Sequence, residues 1–210
     1  MTKARKYTVQ KNFSACYHII DRCVQRVYLM GTDPLTGVSY DHRKDWFHQR
    51  LSHLTEIFTI ELGGYSIMSN HYHLNVKTRP DLTGKLTNAE VAKRWYLLYP
   101  PKIKESITPT EEQISAHETD LLNYPKEIKK YRKRLGNLSW FMKSLKENIA
   151  RKGNAETGCT GRFWHGRFKS KLSVTKEGTL MTQVYIDLNP IRAGIAETPE
   201  TSEYTSSNWV

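Results

Sequence analysis

Two histidines, His71 and His73, stand one residue apart in an apolar, β-branched stretch at residues 65–76. Side chains of a β-strand alternate between its two faces, so a strand here would point both imidazoles to the same side. Two imidazoles on one face can converge on a single metal ion. A chain with eight histidines contains roughly 0.3 such pairs by chance. The alternative is therefore a pair of partly buried, hydrogen-bonded histidines without a metal.

A second polar pair lies far downstream, in the sequence Y-I-D-L-N-P at residues 185–190. If this segment is helical, Tyr185 and Asn189 share a face one turn apart. Two histidine nitrogens and the amide oxygen of Asn189 would suit Mg²⁺ or Mn²⁺, with positions left open for water and phosphate, whereas a closed zinc site has four ligands. Pro190 disfavours α geometry at the residue before it, so the last turn is expected to be distorted.

Tyr185 fits this site as a nucleophile toward a phosphodiester. A tyrosine phenol has a pKa of about 10 in water, and forming the phenolate at pH 7 costs about 4 kcal/mol. A neighbouring divalent cation lowers that cost and polarises the phosphoryl oxygen under attack. The alternative is that Tyr185 is an amphipathic residue flanking the apolar stripe of the last helix. The nucleophile hypothesis therefore depends on an adjacent metal site.

The positive charge of the chain is concentrated in residues 126–176, where 15 Lys and Arg stand against three Asp and Glu. Almost the whole net charge of +11 arises there. Basic residues without interleaved acids indicate a nucleic-acid partner more than a solvated helix face. Aromatic residues lie among the cations, and core packing is their alternative role. The residues expected to contact DNA, through phosphates or by stacking, are Lys143, Arg151, Arg162, Trp164, Arg167 and Lys169.

The hydropathy pattern predicts strands at 17–24, 65–68 and 71–76, and helices at 42–58, 88–99 and 138–149. Gly63 and Gly64 are expected to precede a strand, and residues 153–161 to form a loop. A strand pair or extended arm at 163–174 leads to a final helix capped by Thr175. Its predicted apolar stripe is Leu180, Met181, Val184 and Leu188. This order predicts an α+β fold, a ferredoxin-like antiparallel β-sheet with helices packed on one face.

The length of 210 residues indicates a single domain over 1–210, with a helical insertion at about 102–137 in which Thr110 and Gln113 can form a capping box. No run approaches the roughly 18 apolar residues of a membrane span, and the first 13 residues lack an apolar signal segment. Three scattered cysteines indicate reduced thiols. We expect a soluble, cytoplasmic, nucleoid-associated protein without a membrane partner.

Three motifs in order carry a family resemblance: M-S-N-H-Y-H-L at 68–74, G-R-F-W-H-G-R-F-K-S at 161–170 and Y-I-D-L-N-P-I-R-A-G at 185–194. They resemble the HUH single-tyrosine transposases, most of all the REP-associated tyrosine transposases. The resemblance covers about residues 17–196, with 102–127 outside it. It implies the HUH endonuclease fold, with His71, His73 and Asn189 as metal ligands and Tyr185 as nucleophile. Tyr72 stands where the family usually has an aliphatic residue.

The resemblance also implies an activity. The family cleaves single-stranded DNA near a hairpin, and leaves a 5′-phosphotyrosine and a free 3′-OH. No nucleotide cofactor is needed, because the phosphotyrosine bond conserves the energy for rejoining. The partner would be single-stranded or hairpin DNA, bound by a monomer or by a homodimer in which the tyrosine acts in trans.

Two alternatives remain at this point. One is a catalytically inactive or regulatory DNA-hairpin-binding protein. The other is a replication-initiator or relaxase-type nickase. The presence of all four site residues favours the enzyme over the inactive binder. Initiators and relaxases generally place the tyrosine differently and carry a helicase or a longer domain.

Overall fold

The computed structural model describes residues 9–10, 13–100 and 109–208. Four strands form one sheet in the order β2-β3-β1-β4, and every neighbouring pair is antiparallel. The strands are β1 (Ala15–Arg22), β2 (Ile60–Ile67), β3 (His71–Thr78) and β4 (Lys169–Ser173). The predicted strand pair or arm at 163–174 thus contributes one edge strand, β4, and the segment before it is irregular.

Eight α-helices lie in the described part of the chain. They are α1 (His42–Ile57), α2 (Pro80–Lys85), α3 (Asn88–Leu98), α4 (Glu111–Leu122), α5 (Pro125–Leu135), α6 (Leu138–Thr157), α7 (Lys176–Asp187) and α8 (Asn189–Arg192). Thr110 and Gln113 form the predicted capping box at the start of α4. The described part of the predicted insertion forms α4 and α5, and residues 101–108 of it lie outside the described residues. None of the described helices is long and apolar enough to cross a membrane.

One face of the sheet packs against α1 and α6. Alternate residues of the strands, such as Ile19 and Leu74, are buried on this face and form one apolar cluster with the helices. The rings of Phe47 and Tyr72 meet at 4.6 Å between centroids, and those of Phe58 and Phe141 meet edge to face at 5.5 Å. Each such side chain stabilises the fold by about 1.5–3 kcal/mol when buried. The α+β class with an antiparallel sheet is confirmed.

The opposite face of the sheet is polar, and α7 lies against it. Gln183 of α7 accepts a hydrogen bond from Asn75 Nδ2 of β3 at 3.2 Å and lies directly over Gly64 of β2. The fold thus has its main helical layer on one face, as predicted, and one further helix on the other. That helix meets the sheet through polar groups because the strand residues facing it are polar.

The predicted orientation of the last helix is wrong. Its apolar residues Leu180, Met181, Val184 and Leu188 are exposed, and Ile186 is the residue of α7 that is fully buried. The helix itself is confirmed: Thr175 caps its start by accepting from Gly178 N at 3.0 Å. Gly194, which follows the end of α8, has a left-handed φ of 68°.

Two other boundaries differ from the predictions, and glycine explains both. Gly63 and Gly64 lie inside β2, where a register irregularity occurs, and Gly64 leaves room for Gln183. Helix α6 continues through Gly153. A Cβ at this position would lie 2.6 Å from the ring of Phe163, so glycine lets that ring pack against the helix. The helix ends at Gly158, whose φ is 65°. In both places the glycine permits close packing and does not break the element.

Candidate active site

The two histidines of β3 and the tyrosine of α7 lie together on the polar face of the sheet. The ring of Tyr185 meets the ring of His73 edge to face, with 5.6 Å between centroids. The rings of His71 and His73 are 5.2 Å apart. Because β3 alternates and α7 lies against it, two neighbouring histidines and a tyrosine more than 100 residues away in sequence form one cluster. The predicted roles of these residues remain predictions, but the structure places them together.

A third histidine, His18 of β1, belongs to the cluster and was not predicted. Its ring stacks on that of His73 at 5.1 Å and lies 5.7 Å from that of Tyr185. In the antiparallel pairing His18 is opposite Asn75, so His73 is its diagonal neighbour on the same face. Lys171 of β4 is paired with His18 on the other side.

Both histidines of β3 are engaged in hydrogen bonds through Nδ1. His71 Nδ1 lies 2.7 Å from Asn70 Oδ1, and His73 Nδ1 lies 2.9 Å from His18 Nε2. An amide oxygen can only accept, so Nδ1 of His71 carries the proton and Nε2 keeps its lone pair. The nitrogen left to bind an ion is therefore Nε2 in His71, and it is Nε2 in His73 when His73 is the donor.

The surroundings keep these imidazoles neutral. Burial lowers the pKa of His73 to about 3, and the neighbouring His71, His18 and Arg22 act in the same direction. Burial also lowers the pKa of His71, with a contribution from Arg22, and that of His18, with a contribution from Lys171. A neutral imidazole is the form that binds a metal ion.

Asn189 begins α8, is separated from the end of α7 by Leu188, and is 9 % exposed. The break at Leu188 agrees with the predicted effect of Pro190 on the preceding turn. The side-chain nitrogen of Asn189 is buried and has no hydrogen-bond partner in the described part of the chain. Leaving a buried polar group unpaired costs about 1–3 kcal/mol. An amide N–H group cannot bind a cation, so Asn189 would serve a metal ion only through its oxygen. A half-turn of the amide would present its oxygen instead.

The donor set fits an open divalent-ion site. Two neutral imidazoles and one buried amide supply three donors, and water or phosphate can complete the coordination. Among residues 9–10, 13–100 and 109–208, no group of three or more His, Cys, Asp or Glu is arranged to hold a metal. Asp187, in the same motif, accepts hydrogen bonds from Gln183 and Ser206. The structure brings His71 and His73 together, and the convergence of Asn189 on the same ion stays a prediction.

Most of the residues predicted to contact DNA are at the surface, and one is not. The exposed ones are Lys143, Arg151, Arg162, Arg167 and Lys169. Trp164 is 7 % exposed, packs edge to face on Tyr72, and donates from Nε1 to the carbonyl of Lys146 at 2.9 Å. The prediction that Trp164 stacks on DNA is wrong, because its ring is part of the core.

Several cations of the basic segment are engaged within the protein. Arg132 donates to Asn88 Oδ1 at 2.7 Å, and the guanidinium of Arg134 lies 4.1 Å from the centre of the Trp140 ring. Lys146 forms a buried ion pair with Asp21. The surplus charge at 126–176 is therefore divided between structural contacts and a smaller exposed set.

A basic groove lies beside the histidines. It has a volume of about 470 Å³, and its lining includes Arg22, Arg26, His165, Arg167 and Lys169. Arg22 is paired with His71 across β1 and β3, so one end of the groove reaches the cluster. Of these groove residues, the sequence predicted Arg167 and Lys169 as DNA contacts. It did not single out Arg22 and Arg26, because they lie outside the charged segment at 126–176.

The fold of this chain, a four-stranded antiparallel sheet with helices packed on it, has a match among solved structures. A solved structure of a REP-associated tyrosine transposase bound to a REP hairpin shares this fold with the chain. The TM-score is 0.51 at 11 % identity, over 98 % of this chain and 82 % of that one. The predicted resemblance is thus confirmed as a likeness of fold.

A putative transposase from Deinococcus radiodurans also matches, with a TM-score of 0.35 and 16 % identity over 89 % of this chain and 96 % of that one. A score this low does not establish a shared fold. No protein-family model and no curated protein matches the sequence.

Proposed function

We propose that this protein is a divalent-metal-dependent, single-strand DNA transposase that nicks and rejoins hairpin-forming DNA. The observation that carries the proposal is the position of Tyr185, whose ring lies 5.6 Å from that of His73. A tyrosine 40 % exposed beside neutral, buried imidazoles is accessible to a phosphodiester and adjacent to the proposed ion. The shared fold with a hairpin-bound transposase supports the choice of substrate.

In the proposed reaction Tyr185 forms a covalent bond to DNA. Its phenol oxygen bonds to the scissile phosphorus, while the bond from phosphorus to the 3′ oxygen breaks. The phenol gives up a proton, the leaving oxygen gains one, and the products are a 5′-phosphotyrosine and a 3′-OH. Attack by a 3′-OH reverses these steps and rejoins the strand, so no nucleotide cofactor is required.

His71, His73 and Asn189 would hold Mg²⁺ or Mn²⁺ in this site. When bound, the ion polarises the phosphoryl oxygen under attack and favours the phenolate. Burial of the two imidazoles keeps them neutral and ready to bind at physiological pH.

The basic groove is the proposed path of the single strand next to the hairpin. Its cations, such as Arg22 and Arg167, line one depression, and Arg22 is the cross-strand partner of His71. Phosphate contacts of this kind are independent of sequence and sensitive to salt. They position a strand across the site and leave recognition of its bases to other contacts.

The test is Tyr185→Phe, with Tyr204→Phe as the matched control. Both variants remove one hydroxyl from a partly exposed ring, and Tyr204 donates to Asp45 at 3.0 Å, away from the cluster. Wild type and Tyr204→Phe should give a DNA-dependent shift on a denaturing gel, and Tyr185→Phe should give none while still binding the hairpin. Fully buried Tyr72 cannot replace it.

Three results would contradict the proposal. An adduct that persists in Tyr185→Phe places the nucleophile elsewhere. Cleavage by the wild type without any adduct means that water is the nucleophile and the protein is a metal nuclease. Binding of the hairpin by the wild type with neither cleavage nor adduct identifies the regulatory hairpin-binding protein instead.

A further inference from the structure

Each of the two proposed metal-binding histidines has its own hydrogen-bond partner at Nδ1, and the two partners come from different elements. Asn70 lies in the turn between β2 and β3, and His18 lies on β1. A metal-binding imidazole commonly donates its second N–H to a neighbouring acceptor, which fixes the tautomer and the ring orientation. His71 has this arrangement, and His73 has it when His73 is the donor to His18.

We propose that Asn70 and His18 are positioning residues that hold His71 and His73 with both Nε2 atoms directed at one ion. The inference rests on the proposed metal site and deepens it. Neither residue needs to touch the ion. His18 cannot share it through Nε2, because that nitrogen is occupied by His73 Nδ1 at 2.9 Å.

The Asn70 side chain is fixed at both ends. Its Nδ2 donates to the carbonyl of Arg26 at 3.1 Å, which determines that the oxygen is the end directed at His71. The backbone carbonyl of Asn70 also accepts from Cys23 N at 2.8 Å. The turn that it contacts is unusual, since Gln25 and Arg26 both have left-handed φ values, 49° and 60°. Residues other than glycine adopt this conformation only when their surroundings enforce it.

Asn70 therefore links the basic groove to a metal ligand. Arg26 lines the groove, and its carbonyl orients the amide that in turn orients His71. The side-chain amide of Asn70 is hydrogen-bonded both to the backbone of this turn and to the His71 imidazole. Neither the turn nor the imidazole can therefore shift alone without breaking a hydrogen bond.

His18 plays the corresponding part for His73. His18 lies on β1, which pairs with β3 on one side and with β4 on the other, and its ring stacks on that of His73 with 30° between the ring planes. For His73 Nε2 to keep its lone pair, His73 must donate from Nδ1 and His18 must accept. The proton of His18 then lies on its Nδ1, away from His73.

The experiment measures Mn²⁺ binding to the full chain without DNA, by loss of the free-ion EPR signal. His18→Phe keeps a ring and removes the acceptor, whereas His18→Gln keeps an acceptor oxygen. Asn70→Leu and Asn70→Asp form the same kind of pair. We expect His18→Phe and Asn70→Leu to weaken Mn²⁺ binding by about 10–100-fold, the usual effect of losing such a partner. The acceptor-retaining variants should stay within a few-fold of wild type.

The second readout is the tautomer state of the imidazoles in the metal-free protein, from long-range ¹⁵N–¹H correlation spectra. Wild-type His71 should be protonated at Nδ1, and Asn70→Leu should give a mixture. His42→Gln is the control for both measurements and should match wild type. It removes a histidine that pairs with Glu156 and is not one of the clustered histidines.

The outcomes separate the positioning roles from the metal site itself. Wild-type binding retained in His18→Phe and Asn70→Leu, with unchanged tautomers, overturns the positioning roles and leaves the metal site intact. Loss beyond about 10³-fold in His18→Phe, well above the usual effect of an indirect partner, makes His18 a direct ligand and also overturns its role. A wild type that binds no Mn²⁺ overturns the metal site and this proposal together.

Discussion

Substituting Gly64 with alanine tests how α7, the helix that carries Tyr185, packs on the sheet. A Cβ at this position would overlap the amide group of Gln183. That amide accepts from Asn75 and donates to Asp187 and to Ser206, at distances of 3.0–3.2 Å. Gln183 lies two residues before Tyr185 on α7. The added methyl therefore acts on the contacts that position the proposed nucleophile.

The expected cost follows from those hydrogen bonds. Displacing Gln183 loses about three hydrogen bonds worth about 1 kcal/mol each, with more for the bonds to the carboxylate. Alanine in place of glycine recovers about 0.5–1 kcal/mol by restricting the unfolded chain. We expect a net loss of about 1–3 kcal/mol in the free energy of unfolding. Activity should fall further, since a displacement near 1 Å costs about 10²-fold in rate.

Urea unfolding followed by tryptophan fluorescence gives the stability, and single-turnover adduct formation gives the rate. The control is Gly84→Ala, because a Cβ on Gly84 meets no atom within 4 Å. The double variant Gly64→Ala with Gln183→Ala removes the overlap, so it should be no less stable than Gln183→Ala alone. Wild-type stability and rate in Gly64→Ala would refute the proposed seating of α7.

Three further predictions concern the site, the charge and the thiols. Replacing His71 and His73 by alanine should abolish cleavage while hairpin affinity in a filter assay stays within a few-fold; normal cleavage with Mg²⁺ would remove the metal assignment. If about 6–10 phosphates are neutralised, affinity should fall by roughly 10³–10⁵ between 50 and 200 mM salt, and a salt-independent affinity would contradict a phosphate-lined path. Burial raises the pKa of the Cys23 thiol to about 12, so at pH 8 a thiol reagent should modify exposed Cys159 first and Cys23 only after unfolding. Rapid loss of both thiols in the folded protein would contradict that burial.

Local patterns made much of the fold predictable. Strand β3, with His71 and His73 on one face, follows from alternation, and helices α1 and α6 follow from apolar spacing. The caps at Thr110 and Thr175 follow from side chains that accept nearby backbone N–H groups. These features depend on residues a few positions apart, which a sequence displays directly.

The parts that sequence reasoning missed depend on contacts between distant segments. His18 joins the cluster only because β1 pairs with β3 in one particular register, which no local pattern specifies. The stripe on α7 shows that the helix is amphipathic, but not which side meets the protein. Because the sheet face below it is polar, the polar side is the one that packs.

The buried aromatic residues between α6 and β4 have a consequence for the entropy of DNA binding. Phe163, Trp164 and Phe168 are each less than 8 % exposed, and backbone bonds join Val24 to Phe163 and His165 to Arg22. The segment that displays Arg162 and Arg167 is therefore ordered before any ligand arrives. Binding through it need not include the loss of conformational freedom that accompanies the folding of a disordered basic arm. The buried rings thus preorganise the cations of the proposed DNA path.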